Sequence, residues 1–237
     1  RARCAAIRHM ARAWSETLDE DGRDEAVMTF VLEAMQVFEE APDADTGHHG
    51  DLPQPEAQLA WSAGLAAAAL PLLEALHWLT SLYSGLLPGE TRSRLGAFYT
   101  PPALAARLLD QAEEAGLDWA TARILDPAAG GAAFLVDAAL RMRAALPDCA
   151  PEFALAQLAT RLKGIELDPQ AARIGQRAVE IVLADLAKAA HRPVPSIVVQ
   201  GDSLTAKPRA DYDLVVGNPP YGRITLSPEL RRRFARS

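Results

Sequence analysis

Between Ala122 and Gly217, short apolar runs alternate with helical stretches, and few folds satisfy that pattern. Ala122–Asp126 reads as a strand, Leu162–Leu167 as a second, Ser196–Gln200 as a third and Tyr212–Gly217 as a fourth. Helical periodicity fills the gaps: from about Ala133 to Leu146, over 152–161, and from Pro169 to Ala190. Strands spaced by helices predict a parallel, doubly wound α/β sheet. Ligands of such sheets bind outside the carboxyl ends of the strands, so the residues just after each strand are the first candidates for chemistry.

The chain ahead of this region is helical in texture. Trp14, Leu18, Val27, Phe30, Val31, Ala34, Met35 and Phe38 recur at three- and four-residue steps, interrupted by the acidic stretch Asp19–Asp24. Residues 41–56, with three prolines and two glycines, predict a loop. His48 and His49 lie in it without a Cys or further His at metal-ligand spacing, so no metal site is expected. Residues 57–87 are rich in Ala and Leu and predict a buried helical pair broken near Pro71. Pro71, Glu74 and His77 interrupt what would otherwise be the window for a membrane span. Pro88-Gly89 closes the stretch, which divides the chain into a helical arm, 1–90, and an α/β core, 91–237.

Charge follows the same division. Residues 1–90 carry 15 acidic and 5 basic side chains, and residues 91–237 carry 16 and 19, within a net charge of −7. The whole chain is therefore no strong nucleic-acid binder by charge alone, while its second part suits a phosphate-bearing partner. Arg231, Arg232, Arg233 and Arg236 form either a solvated helix face or a basic contact. Cys4 and Cys149 are far apart, and no signal peptide is evident, so a reducing cytoplasm is expected. The first residue is Arg1 rather than Met, which suggests a piece of a longer protein.

Five short motifs sit at the expected ends. In Ile124-Leu-Asp-Pro-Ala-Ala-Gly-Gly-Ala, a strand ends in Asp126 and a small-residue turn through Gly130 leads into a helix N-terminus. It lacks the GxGxxG spacing of a dinucleotide site, which disfavours NAD. In Gly164-Ile-Glu-Leu-Asp-Pro169, the Glu166 carboxylate can accept both hydroxyls of a ribose, while Asp168-Pro169 suits the cap of the next helix. In Gly201-Asp-Ser203, Asp202 either accepts from an exocyclic amino group such as that of adenine or only shapes a turn. In Phe98-Tyr-Thr-Pro-Pro102, Thr100 reads as a helix N-cap with Pro101 at the first helical position, or as a hydroxyl that receives a ligand carboxylate. Asn218-Pro-Pro-Tyr221 is a rigid turn with an amide, a directed carbonyl and an aromatic face, which suits holding a flat, amino-bearing ring.

In this order the five motifs resemble those of the N6-adenine DNA methyltransferases, in the subgroup whose cofactor motifs precede the catalytic one, as in type I and type IIG restriction-modification methylases. The resemblance covers about residues 95–237 and implies a Rossmann-like S-adenosylmethionine-dependent methyltransferase fold preceded by the all-α arm. It implies that Thr100 meets the methionine carboxylate of S-adenosyl-L-methionine, that Asp126 and the turn through Gly130 line its methionine part, and that Glu166 takes the ribose hydroxyls. Leu167 would lie against the adenine and Asp202 would bind its amino group. Asn218 and Pro219 would hold the target base of double-stranded DNA, flipped out of the duplex, and Tyr221 would stack on it.

Two features depart from the family. Ala132 stands where a second glycine is frequent, and its methyl is expected to crowd the methionine part. The family's sheet continues for about three strands beyond NPPY, followed by a target recognition domain. The chain is thus expected to be a fragment with an incomplete sheet, weakly active or inactive alone. The same motif also occurs in enzymes that methylate a protein glutamine or an RNA adenine, and a non-catalytic docking piece is the remaining alternative.

Overall fold

The computed structural model describes residues 1–41, 55–91, 99–206, 211–219, 228, 231 and 232. Most of the 41–56 loop, with His48 and His49, lies outside the described residues, as do Pro220, Tyr221, Arg233 and Arg236.

Four helices come first: α1 (Ala2–Glu16), α2 (Glu20–Glu40), α3 (Pro55–Ala67) and α4 (Leu72–Leu86). Their breaks fall where local chemistry opposes helix. Asp19 is extended at φ −64°, ψ 145° ahead of α2, whose first turn carries Glu20 and Asp21 against the positive end of its dipole. Pro71, at ψ 146°, separates α3 from α4, as expected of a residue that cannot donate to the preceding turn.

The remaining elements are α5 (Pro102–Glu114), β1 (Ile124–Asp126), α6 (Ala133–Ala144), α7 (Pro151–Arg161), β2 (Leu162–Glu166), α8 (Pro169–Val182), α9 (Ala184–Ala189), β3 (Val198–Gln200) and β4 (Leu214–Val215). The strands form one sheet in the order β3-β2-β1-β4, and every pairing is parallel. Ile124 stands opposite both Leu162 and Leu214, and Gly164 opposite Val198. The chain steps outward from β1 to β2 to β3, then returns to place β4 on the other side of β1. The strand order therefore reverses between β1 and β4, the place where ligands bind in sheets of this kind.

Alternation sets which side of the sheet is covered. Ile124, Leu162 and Val198 are buried against helices, whereas Val215 is 60% exposed on the opposite side among the described residues. α6 and α8 pack on each other and on the sheet, and α4 packs on α5, α6 and α8. Leu76, Leu79, Leu82 and Tyr83 of α4 join Leu135 and Val179 in one continuous hydrophobic core, so the N-terminal helices share the interior of the sheet layer. An ion pair between Arg177 of α8 and Glu39 of α2 adds a polar tie at the rim.

Three details differ from the sequence reading. Thr100 is not the N-cap of α5: Pro101 occupies that position at ψ 142° and the helix begins at Pro102. A residue followed by proline is sterically driven out of the helical region, so the second proline, not the first, opens the helix. The long helix expected from Pro169 to Ala190 is two, because buried Leu183 leaves helical geometry at φ −106°, ψ 6°. The strands are also shorter than expected, two residues in the case of β4, although Asp213 and Val216 N–H extend its pairing by donating to Arg123 and Leu125 carbonyls at 2.9 Å each.

Candidate active site

Parallel strands deliver their carboxyl ends to one edge of the sheet. Asp126 ends β1, Glu166 ends β2, Asp202 lies two residues past β3, and Asn218 lies three past β4. Four of the motifs thus bring a polar side chain to one edge of the sheet, whereas Phe98, Pro220 and Tyr221 are not among the described residues.

The Gly130 turn is built around Glu166. Gly130 N–H donates to Glu166 Oε2 at 2.7 Å, and Asp168 N–H donates to Oε1 at 2.9 Å. A carboxylate has about four acceptor sites, so each oxygen keeps capacity for a further hydroxyl. Ala129 N–H donates to the Ile165 carbonyl at 3.0 Å, which fixes the turn to β2 on its other flank. Asp168 caps α8 as the sequence suggested: its Oδ1 accepts from Gln170 N–H at 2.9 Å, with Pro169 in the first turn.

Asp126 is 1% exposed, and its Oδ1 accepts from Ala128 N–H at 3.0 Å. Burial, reinforced by the nearby Glu166 charge and opposed by the Ala128 bond, pushes its carboxyl up to about 7. A cation placed beside it would reverse that shift.

The turn that begins at Gly217 lies against this carboxyl. A Cβ placed on Gly217 would stand 2.8 Å from Asp126 Oδ1 and 3.2 Å from Pro127 Cδ. Only the bare α-carbon of glycine permits the approach, and half-buried Asn218 and exposed Pro219 follow it at the end of β4.

Ala132 sits in the left-handed region at φ 63°, fully buried, as the N-cap of α6. Its Cβ faces Gly175 of α8, where an added Cβ would come within 3.4 Å of it and within 2.7 Å of the Gly130 carbonyl. The methyl thus packs toward α8, at the cost of backbone strain on the order of 1 kcal/mol.

The other candidate positions are less direct. Leu167 is 64% exposed at the end of β2, an uncovered apolar side chain suited to lie on a flat ring. Asp202 Oδ1 accepts from Leu204 N–H at 2.9 Å, so one of its oxygens shapes a turn. Thr100 is 5% exposed, and a bond between its backbone and His77 partly opposes the lowering of the imidazole by burial and by Arg8.

Two tyrosines escaped the sequence reading. Tyr83 O–H donates to Asp168 Oδ2 at 2.9 Å. Tyr99 packs its ring on Gly131, and its buried hydroxyl has no hydrogen-bond partner among the described residues. Both hydroxyls are raised well above the usual tyrosine range by burial, and Asp168 raises both further. The available signal was that a tyrosine on a buried helix face needs a partner for its hydroxyl.

A parallel sheet whose strand order reverses between β1 and β4, with a buried carboxyl ending β1 and a hydrogen-bonded carboxylate ending β2, defines an open α/β protein. The chain belongs to the N-6 DNA methylase family, whose model matches residues 77–233, well over half of it. Neither curated proteins nor solved structures yield a match. The family's enzymes use S-adenosylmethionine and act on DNA. The donor set suits that group: carboxylates for hydroxyls and a cation, a buried Tyr99 hydroxyl with no partner among the described residues, and exposed Leu167. Among the described residues no helix is long and apolar enough to cross a membrane, and no cluster of three or more His, Cys, Asp or Glu could hold a metal ion.

Proposed function

We propose that the protein is a site-specific, adenine-specific DNA methyltransferase of a restriction-modification system, carrying the methyl of S-adenosylmethionine to adenine N6. The sheet is then the cofactor half of a doubly wound, Rossmann-like methyltransferase fold. The observation that supports this most is the contact of Gly217 with Asp126, since it joins an amine-holding turn to a cation-seeking carboxyl.

When bound, S-adenosylmethionine supplies an electrophilic methyl on a sulfonium. Glu166 would hold its ribose hydroxyls, Leu167 its adenine face, Asp202 its amino group, and Thr100, Asp126 and the Gly130 turn its methionine end. The target adenine must leave the duplex to reach this site, and Tyr221 is the aromatic on which it would stack.

Adenine N6 is a poor nucleophile because its lone pair is delocalised into the ring. Asn218 Oδ1 and the Pro219 carbonyl would accept the two amino hydrogens and let the nitrogen pyramidalise, with its lone pair turned toward the methyl. The two prolines fix the turn and remove N–H groups that would compete for those acceptors. The rate then comes from positioning and preorganised dipoles, and no strong base is needed. The nitrogen's surplus proton leaves to water after transfer.

The test is transfer of labelled methyl from S-adenosylmethionine to DNA, RNA and protein in parallel. The reading expects label in DNA. Label in protein glutamine or RNA alone, or none in DNA of any sequence, overturns it.

A further inference from the structure

A polar thread runs from the N-terminal helices to the candidate cofactor site. Tyr83, on the buried face of α4, is 1% exposed and donates to Asp168 Oδ2 at 2.9 Å. The two residues are 85 positions apart, so the bond links the helical layer to the segment after β2. Asp168 is held on both oxygens: Oδ1 accepts from Gln170 N–H and Oδ2 from Tyr83 O–H, and its own N–H donates to Glu166 Oε1 at 2.9 Å. Glu166 Oε2 in turn takes Gly130 N–H at 2.7 Å. The thread therefore runs from Tyr83 to Asp168 to Glu166 to the Gly130 turn.

We infer that Tyr83 is a positioning residue for the nucleoside-binding carboxylate, which makes the helical layer part of the cofactor site rather than a separate attachment. The inference rests on the proposed role of Glu166 in holding the ribose hydroxyls. Asp168 is 8% exposed, and a buried carboxyl group must find its partners within the protein. Gln170 N–H fixes one of its oxygens from the helix side, and Tyr83 fixes the other from the opposite layer. With both oxygens held, Asp168 is anchored between the two layers, and with it the short Glu166–Asp168 segment whose backbone N–H meets Glu166 Oε1. Without the Tyr83 hydroxyl that anchor is lost on the helical-layer side. The segment is then freer to shift, which loosens the N–H bond that holds Glu166 Oε1.

This predicts a selective defect. Tyr83→Phe keeps the ring and its packing and removes only the hydroxyl, and its melting temperature checks that the fold survives. S-adenosylmethionine and an analogue lacking both ribose hydroxyls are titrated calorimetrically into the chain and into the variant. The expected result is a roughly five- to tenfold weaker Kd for S-adenosylmethionine, the size of a modest hydrogen-bond loss, with the analogue's Kd unchanged. Equal weakening of both ligands, which general loosening would give, overturns the inference, and so does no weakening of either. Glu166→Gln is titrated alongside. If it binds S-adenosylmethionine like the unaltered chain, the ribose role itself fails. If it binds weakly while Tyr83→Phe binds normally, only the role of Tyr83 fails.

Discussion

Asp126 and Gly217, 91 positions apart in sequence, meet so closely that a Cβ on the glycine would stand 2.8 Å from the aspartate Oδ1. The contact follows from β1 and β4 being parallel neighbours with Leu125 beside Val215, so both strands end at the same level. It ties the turn that would hold the base to the carboxyl that would face the cofactor.

Gly217→Ala is therefore expected to displace the Asn218 turn while leaving the Gly130 turn intact. Displacement near 1 Å costs on the order of a hundredfold in rate, so methyl transfer should fall by about that factor with a Kd for cofactor changed far less. Single-turnover kinetics together with calorimetry separates the two effects.

Gly175→Ala strikes the other side of the site. Its methyl would stand 2.7 Å from the Gly130 carbonyl, a backbone atom with no flexible end to yield. Overpacking of that kind costs about 1–3 kcal/mol, and here the turn held by Glu166 must move. Denaturant midpoints should drop and cofactor affinity should fall together, in contrast to Gly217→Ala.

Asp126 gives a pH signature. Its carboxyl is raised in the folded chain from an ordinary 3.8 to about 7, chiefly by burial. Between about pH 4 and pH 7 the folded state keeps a proton that the unfolded state has released, so stability falls as pH rises through that window and the penalty is complete above it. Asp126→Asn keeps an acceptor for Ala128 N–H without the charge. It should match the unaltered chain near pH 4 and exceed it by a few kcal/mol above pH 7, as urea titrations across that range would read. A difference independent of pH would contradict the shift.

How far this was legible in the sequence depends on the range of the interactions. The break at Pro71 and the Asp168-Pro169 cap are set by one residue and its immediate neighbours, and they stand where the sequence put them. The interruption expected over Asp19–Asp24 is confined to its start, because Glu20–Asp24 form the first turns of α2. Four parallel strands, two of them ending in an acidic residue, were readable from the alternation of strand and helix. Pro101 and Pro102 were readable in principle, but the steric demand of the second proline on the first outweighs the preference for a threonine cap. Leu183 breaks a helix whose local pattern is unbroken, because its burial is decided by packing. The Tyr83–Asp168 bond and the packing of the Ala132 methyl toward α8 depend on which helices meet, and no short-range pattern encodes that.

Asn218→Ala separates holding the base from holding the cofactor. The side-chain amide makes no contact that the Gly130 turn or Glu166 requires, since their hydrogen bonds run between β1 and β2. Cofactor affinity should stay within about twofold, while transfer falls by on the order of a hundred- to a thousandfold, as for the loss of one preorganised polar contact in a transition state. Equal loss of both would mean that the turn is structural.

The central claim is that the amine held at Asn218 belongs to adenine. DNA incubated with the protein and S-adenosylmethionine, digested to nucleosides and resolved by mass spectrometry, tests it directly. The account predicts N6-methyladenine as the new product. A methyl on cytosine, or DNA left unmethylated while protein glutamine gains the label, would contradict it.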